Sequence, residues 1–90
     1  MNQEKMVDVY IPALVALLTR AEELAKRPLS ESEVLRIRDK AEKVSQPLSA
    51  MPAFLKQRGY HDLYAAEAWE EWNLYKEGKL DLSISEDENT

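Results

Sequence analysis

The one histidine, His61, sits between Tyr60 and Asp62 and is the first residue to test for chemistry. A histidine metal site needs further ligands at defined spacing, and none stands beside it, so a local turn role is expected. Glu67 and Glu71 are four residues apart, a spacing that puts a general acid and a general base on one helical face. Such a pair works only if burial or a close like charge raises one carboxyl pKa, and a solvated face supplies little of either. Glu67, Glu70 and Glu71 therefore read as a charge stripe. Gly59 and Gly78 are the only glycines, which rules out a Gly-rich phosphate loop, and the absence of cysteine removes disulfides, thiolate ligands and thiol redox chemistry. No catalytic residue, metal or cofactor is expected, and the chain is read as a non-enzyme.

The residues that stand out are aromatic. Trp69 and Trp72, three apart, lie in a run from Tyr64 to Tyr75 that holds most of the aromatic surface. A chain of 90 residues makes one thin-cored domain, here taken as 1–85 with a disordered acidic tail at 86–90. In so thin a core at least one tryptophan should be buried, and the other is available to anchor a partner.

Hydrophobic spacing predicts the elements that position this run. A first helix starts near Pro12 and ends near Lys26, with Ile11, Leu14, Leu18, Ala21 and Ala25 on one stripe and Val15, Leu17 and Leu24 widening it into a central core face. Ser30 with Glu33 forms a capping box, and Leu29 with Val34 a hydrophobic staple. From that start Val34, Ile37, Ala41 and Val44 predict a second helix running to about Ser45, ahead of Pro47, with Arg36, Lys40 and Lys43 on its other side. Ser49 caps a short third helix that has Pro52 in its first turn and ends at Gly59. Asp62 caps a fourth, with Ala65, Ala68, Trp69, Trp72 and Leu74 or Tyr75 inward and Gly78 at its end. Beyond it Leu80, Leu82 and Ile84 alternate with Asp81, Ser83 and Ser85 at strand period. A lone strand must pack on the helices, pair with a second copy or add to a partner's sheet. The expected architecture is all-α, a three- to four-helix bundle with an extended C-terminal arm.

Charge is uneven. The net charge is −5, but residues 1–59 carry +2 and residues 60–90 carry −7. The acidic last third repels nucleic acid, and the basic stripe of the second helix is offset by Glu33, Asp39 and Glu42. The longest apolar stretch, Val9 to Leu18, falls well short of the ~20 residues needed to span a bilayer. Met1 to Asp8 lacks the basic start of a signal peptide. With the absence of cysteine, a cytoplasmic location is expected.

Pro28-Leu-Ser-Glu-Ser-Glu-Val-Leu-Arg-Ile-Arg-Asp-Lys-Ala41, followed by Arg58-Gly-Tyr-His-Asp-Leu63 and Trp69-Glu-Glu-Trp72, resembles a group of small bacterial proteins of unassigned activity. The resemblance covers about half the chain and implies a compact, mostly helical bacterial protein. Surface character points to a protein-interaction module with a basic partner, an immunity-type inhibitor being one form. Its expected binding residues are Tyr64, Glu67, Glu70, Glu71, Trp72 and Tyr75, with Arg58 and His61 at the preceding turn. The alternatives are a homodimer that buries Leu80, Leu82 and Ile84 against its own copy, and an enzyme built on the carboxylates and His61.

Overall fold

The structure, a computed structural model, describes residues 4–84, so the expected tail at 86–90 lies outside the described residues. The all-α expectation does not hold. Among the described residues four short helices share the fold with a two-stranded antiparallel sheet. Strand β1, Met6–Tyr10, pairs with β2, Lys43–Pro47, so that Met6 lies opposite Pro47 and Tyr10 opposite Lys43. Ile11 N–H donates to the Glu42 carbonyl at 3.3 Å and Leu48 N–H to the Lys5 carbonyl at 2.7 Å, which extends the ladder at both ends.

This pairing overturns the expected length of the second helix. Helix α2 is Glu31–Lys40, and Ala41 turns to extended backbone at φ −68° and ψ 151°. The stretch after Ala41 has ordinary helix formers, but Gln46 precedes proline, which biases it away from helix, and Val44 finds Val9 across the sheet. A nonlocal partner overrides a weak local preference. The basic stripe is broken by the same event, because Lys43 now sits over the Tyr10 ring, 5.3 Å from its centroid.

Helix α1, Leu14–Ala25, is the central element that its spacing predicts. Leu14, Val15 and Leu18 are buried, although Leu24 is 66% exposed rather than part of the inner face. The start of α2 also follows its local signals. Ser30 and Glu33 form both halves of the capping box, and the staple residues Leu29 and Val34 are buried. Helix α2 packs on α1 and on α4, Ala68–Lys76. The core gathers Ala13, Leu14, Val15, Leu18, Leu29 and Val34 with Leu63, Ala68 and Trp72, and Trp69 is half-buried against it.

Helix α3, Met51–Arg58, has Pro52 in its first turn and ends on left-handed Gly59, where φ is +92°. Ser49 does not cap it. That residue lies within a preceding 3-10 turn, Leu48–Ala50, and its hydroxyl donates to the Glu4 carboxylate at 2.7 Å. Asp62 does not start the fourth helix either, because α4 begins only at Ala68 after a second 3-10 turn, Ala65–Glu67. The arm after Gly78 packs on its own chain. Leu80, Leu82 and Ile84 are half-buried while Asp81 and Ser83 are exposed, Tyr60 and Ser83 form an antiparallel bridge, and His61 N–H donates to the Leu82 carbonyl at 2.7 Å. No helix of the described residues is long and apolar enough to cross a membrane.

The capping box gives a pH signature. Two hydrogen bonds from Arg27, at 2.9 and 2.7 Å, and one from the Ser30 N–H at 2.8 Å hold the Glu33 carboxyl at about 2, well below the ordinary 4.5. A folded-state pKa below the unfolded one contributes stability that is complete above about pH 4.5 and is lost as pH falls towards about 2. Urea midpoints should therefore decline over that window. In Glu33→Gln the decline should be shallower, with no change in slope above pH ~5.

Candidate functional site

The residues that the sequence assigns to one surface are divided between two places. Arg58 belongs to the interior. Its side chain is only 11% exposed, its Nη2 donates to the Tyr10 carbonyl at 2.6 Å, and its guanidinium lies 4.6 Å from the Phe54 ring centroid and 5.8 Å from that of Tyr60. Its Nη1 is 3.9 Å from Asp62, whose carboxylate serves a different helix from the one expected. Asp62 Oδ2 accepts from Leu14 N–H at 2.6 Å, and Oδ1 accepts from Val15 N–H and from its own neighbour Leu63 N–H, each at 2.8 Å. Ala13 at the N-cap of α1 has no side-chain acceptor, so the cap is delivered from across the fold.

Asp8, Tyr10, Arg58, His61, Asp62 and Tyr64 surround a cleft of about 330 Å³ between β1 and α3. Ionisable groups converge here, but Arg58 and Asp62 spend their polar atoms on backbone, and burial pushes the Tyr10 phenol up. His61 is exposed at the edge. Among the described residues no group of three or more histidine, aspartate or glutamate side chains is placed to hold a metal ion. The arrangement joins β1, α1 and α3.

The second place is the outer face of α4. Ala68 and Trp72 turn inward at 1% and 2% exposure, which removes Trp72 from the surface it was expected to share. Lys76 sits over its indole at 5.1 Å and donates to Glu22 at 2.9 Å, and Glu22 also accepts from Leu29 N–H at 3.0 Å. Partial burial alone would raise the Glu22 carboxyl, but these donors outweigh it and hold the group below its ordinary value. The buried Trp72 indole N–H makes no hydrogen bond of good geometry, but it lies near enough to Glu22 to help hold that carboxyl down.

With Trp72 inside, helical geometry sends Glu67, Glu70 and Leu74 outward. Both glutamates are exposed, as are Leu74 and Tyr75, one or other of which was expected on the buried side. Glu71 is half-exposed and accepts from Tyr64 N–H at 2.8 Å, which pins the Tyr64 corner to the first turn of α4. Tyr64 is 62% exposed. Glu70 and Glu71 also complement the helix dipole at an N-terminus that has no side-chain cap. The dipole accounts for acids in that turn. It does not account for the exposed Tyr64 and Leu74 beside them.

Leu74 is the surface residue that sequence reasoning missed. The signal was available: once Ala68 and Trp72 share the inner face, Leu74 falls with Glu70 and Glu71 by i+4 and i+3 spacing. No family model, curated protein or solved structure matches the chain.

The two aromatic positions are separable by experiment. Trp72→Ala should lose about 3–5 kcal/mol, enough to unfold a domain of this size, whereas Tyr64→Ala should stay within about 0.5 kcal/mol of wild type. Chemical denaturation followed by circular dichroism measures both.

Proposed function

We propose that this chain is a non-catalytic interaction module that binds a basic protein partner through the outer face of α4 and the Tyr64 corner. The observation that supports this reading is the company kept by the acids. Among the described residues Glu67, Glu70 and Glu71 take part in no ion pair and stand together at one helix, whereas the other acids without an ion pair, Glu4, Asp8, Glu31, Glu42 and Asp81, lie elsewhere in the chain. Two large hydrophobic side chains, Tyr64 and Leu74, lie exposed among these uncompensated charges. Apolar anchors ringed by one sign of charge suit a partner that carries the opposite sign, with the charges setting specificity and encounter rate. Inhibition of a basic enzyme, as by an immunity-type protein, is one use of such a face.

Charge reversal tests the reading. A protein retained on the immobilised wild-type chain from the native host's lysate should be lost on Glu67→Lys/Glu70→Lys. Its affinity should also fall about tenfold or more between about 50 and 300 mM salt. Melting of the double variant within a few degrees of wild type separates loss of binding from loss of fold. Retention of the same partner by the charge-reversed protein, or binding indifferent to salt, sinks the proposal.

A further inference from the structure

Beside the acidic face runs a groove of about 640 Å³ between α1 and the C-terminal arm. Val15, Ala16, Tyr60, Tyr75, Leu80 and Leu82 supply its apolar walls. Several of the polar groups that reach it already have partners within the chain. The Thr19 hydroxyl donates to the Val15 carbonyl at 2.8 Å, Asp81 accepts from the Ser83 N–H and hydroxyl at 2.9 and 2.7 Å, and Arg20 lies 3.6 Å from Glu23. The groove is open to solvent, whereas a small-molecule site encloses most of its ligand.

Two features say what covers it. The first is continuity: Tyr75 forms part of the groove wall and stands one helical turn after Glu71, so the opening adjoins the acidic face. The second is charge. Glu23 and Asp81 edge the groove from opposite sides, Arg20 being the cation among its lining residues and already paired with Glu23. Hydrogen bonds from Ser83 hold the Asp81 carboxyl below its ordinary value and so keep it anionic.

We infer that the groove seats apolar side chains of a basic amphipathic segment whose cations lie on the acidic face. This rests on the basic-partner reading above and adds the site that gives it apolar selectivity. A helix laid in a groove presents apolar residues one turn apart, which suits an open cavity walled by α1 and the arm better than an enclosed pocket would.

Two acetylated peptides test it: one of lysine and alanine carrying two leucines four residues apart, and a control with those leucines replaced by alanine. Their equal charge removes the electrostatic contribution from the comparison, and the Ala16→Trp variant then separates the groove from the exposed Tyr64 and Leu74. The leucine peptide should bind the full-length protein about tenfold tighter or better. It should shift the wild-type amide resonances of Ala16, Thr19, Leu80 and Leu82. Ala16 is exposed on α1, so Ala16→Trp fills the groove without entering the core; it should erase the leucine preference and leave the control peptide's affinity unchanged. A preference that survives Ala16→Trp, the absence of any preference, or shifts confined to other surfaces overturns the inference while leaving the acidic-face reading intact. Equal groove shifts from N-acetyl-leucine amide at the same concentration would make this a small-molecule pocket and overturn it too. Failure of both peptides to bind at low salt removes the acidic-face reading, and the groove proposal falls with it.

Discussion

One carboxylate closes the fold. Helix α1 carries the most deeply buried part of the core, yet the two residues before it are Pro12 and Ala13, neither of which has a side-chain acceptor for the free N–H groups of the first turn. Asp62 supplies that acceptor from 48 residues away, and Arg58, packed on Phe54, holds the end of β1 through the Tyr10 carbonyl. The start of the central helix, the end of the strand before it and the turn after α3 therefore meet at one charged pair. A two-stranded sheet alone is marginal in water, and β1 buries only Val9 fully. Its position depends on this junction more than on its own packing.

The same junction shows how the chain distributes its charge. Arg58 reaches inward, Lys76 lies over Trp72 and pairs with Glu22 at the surface, and Arg38 donates to the Ala65 carbonyl at 3.0 Å, tying α2 to the turn before α4. Lys43 lies on Tyr10 and Arg27 on Glu33. These five cations thus tie elements together, each through a carbonyl, a ring or a carboxylate. The acids of α4 receive no such partner among the described residues, so Glu70 and Glu71, with Glu67 just before the helix, leave uncompensated negative charge there.

What could be read from the sequence follows from whether the cause was local. The α2 start was fully legible because Ser30, Glu33, Leu29 and Val34 act within one turn, and burial of a tryptophan followed from size alone. The alternation of Leu80, Leu82 and Ile84 gave an extended arm, and the bridge from Ser83 to Tyr60 gives it a place. The sheet was not legible, because Val44 becomes a strand residue only when Val9 lies opposite it, 35 residues earlier in the chain. Asp62 was recognised as a capping residue and assigned to the wrong helix for the same reason. A residue type reports that it can accept backbone N–H groups, and only the tertiary fold decides whose. The expected site suffered likewise: Arg58 and Trp72 have the chemistry of partner anchors, and both are used in holding the protein together.

That competition sets the kind of recognition such a chain can offer. With so few residues, the largest apolar side chain must go inside, and Trp72 does, with Trp69 half-buried beside it. The surface keeps the smaller side chains of Tyr64 and Leu74 exposed beside acids that have no ion-pair partner among the described residues. On the reading proposed here, encounter is accelerated by the field of those acids, and residence is limited by how much apolar area the partner adds. The face would gather basic segments quickly and hold most of them briefly. Apolar contact beyond those acids, of the sort the groove beside α1 provides, is then what separates one basic partner from another.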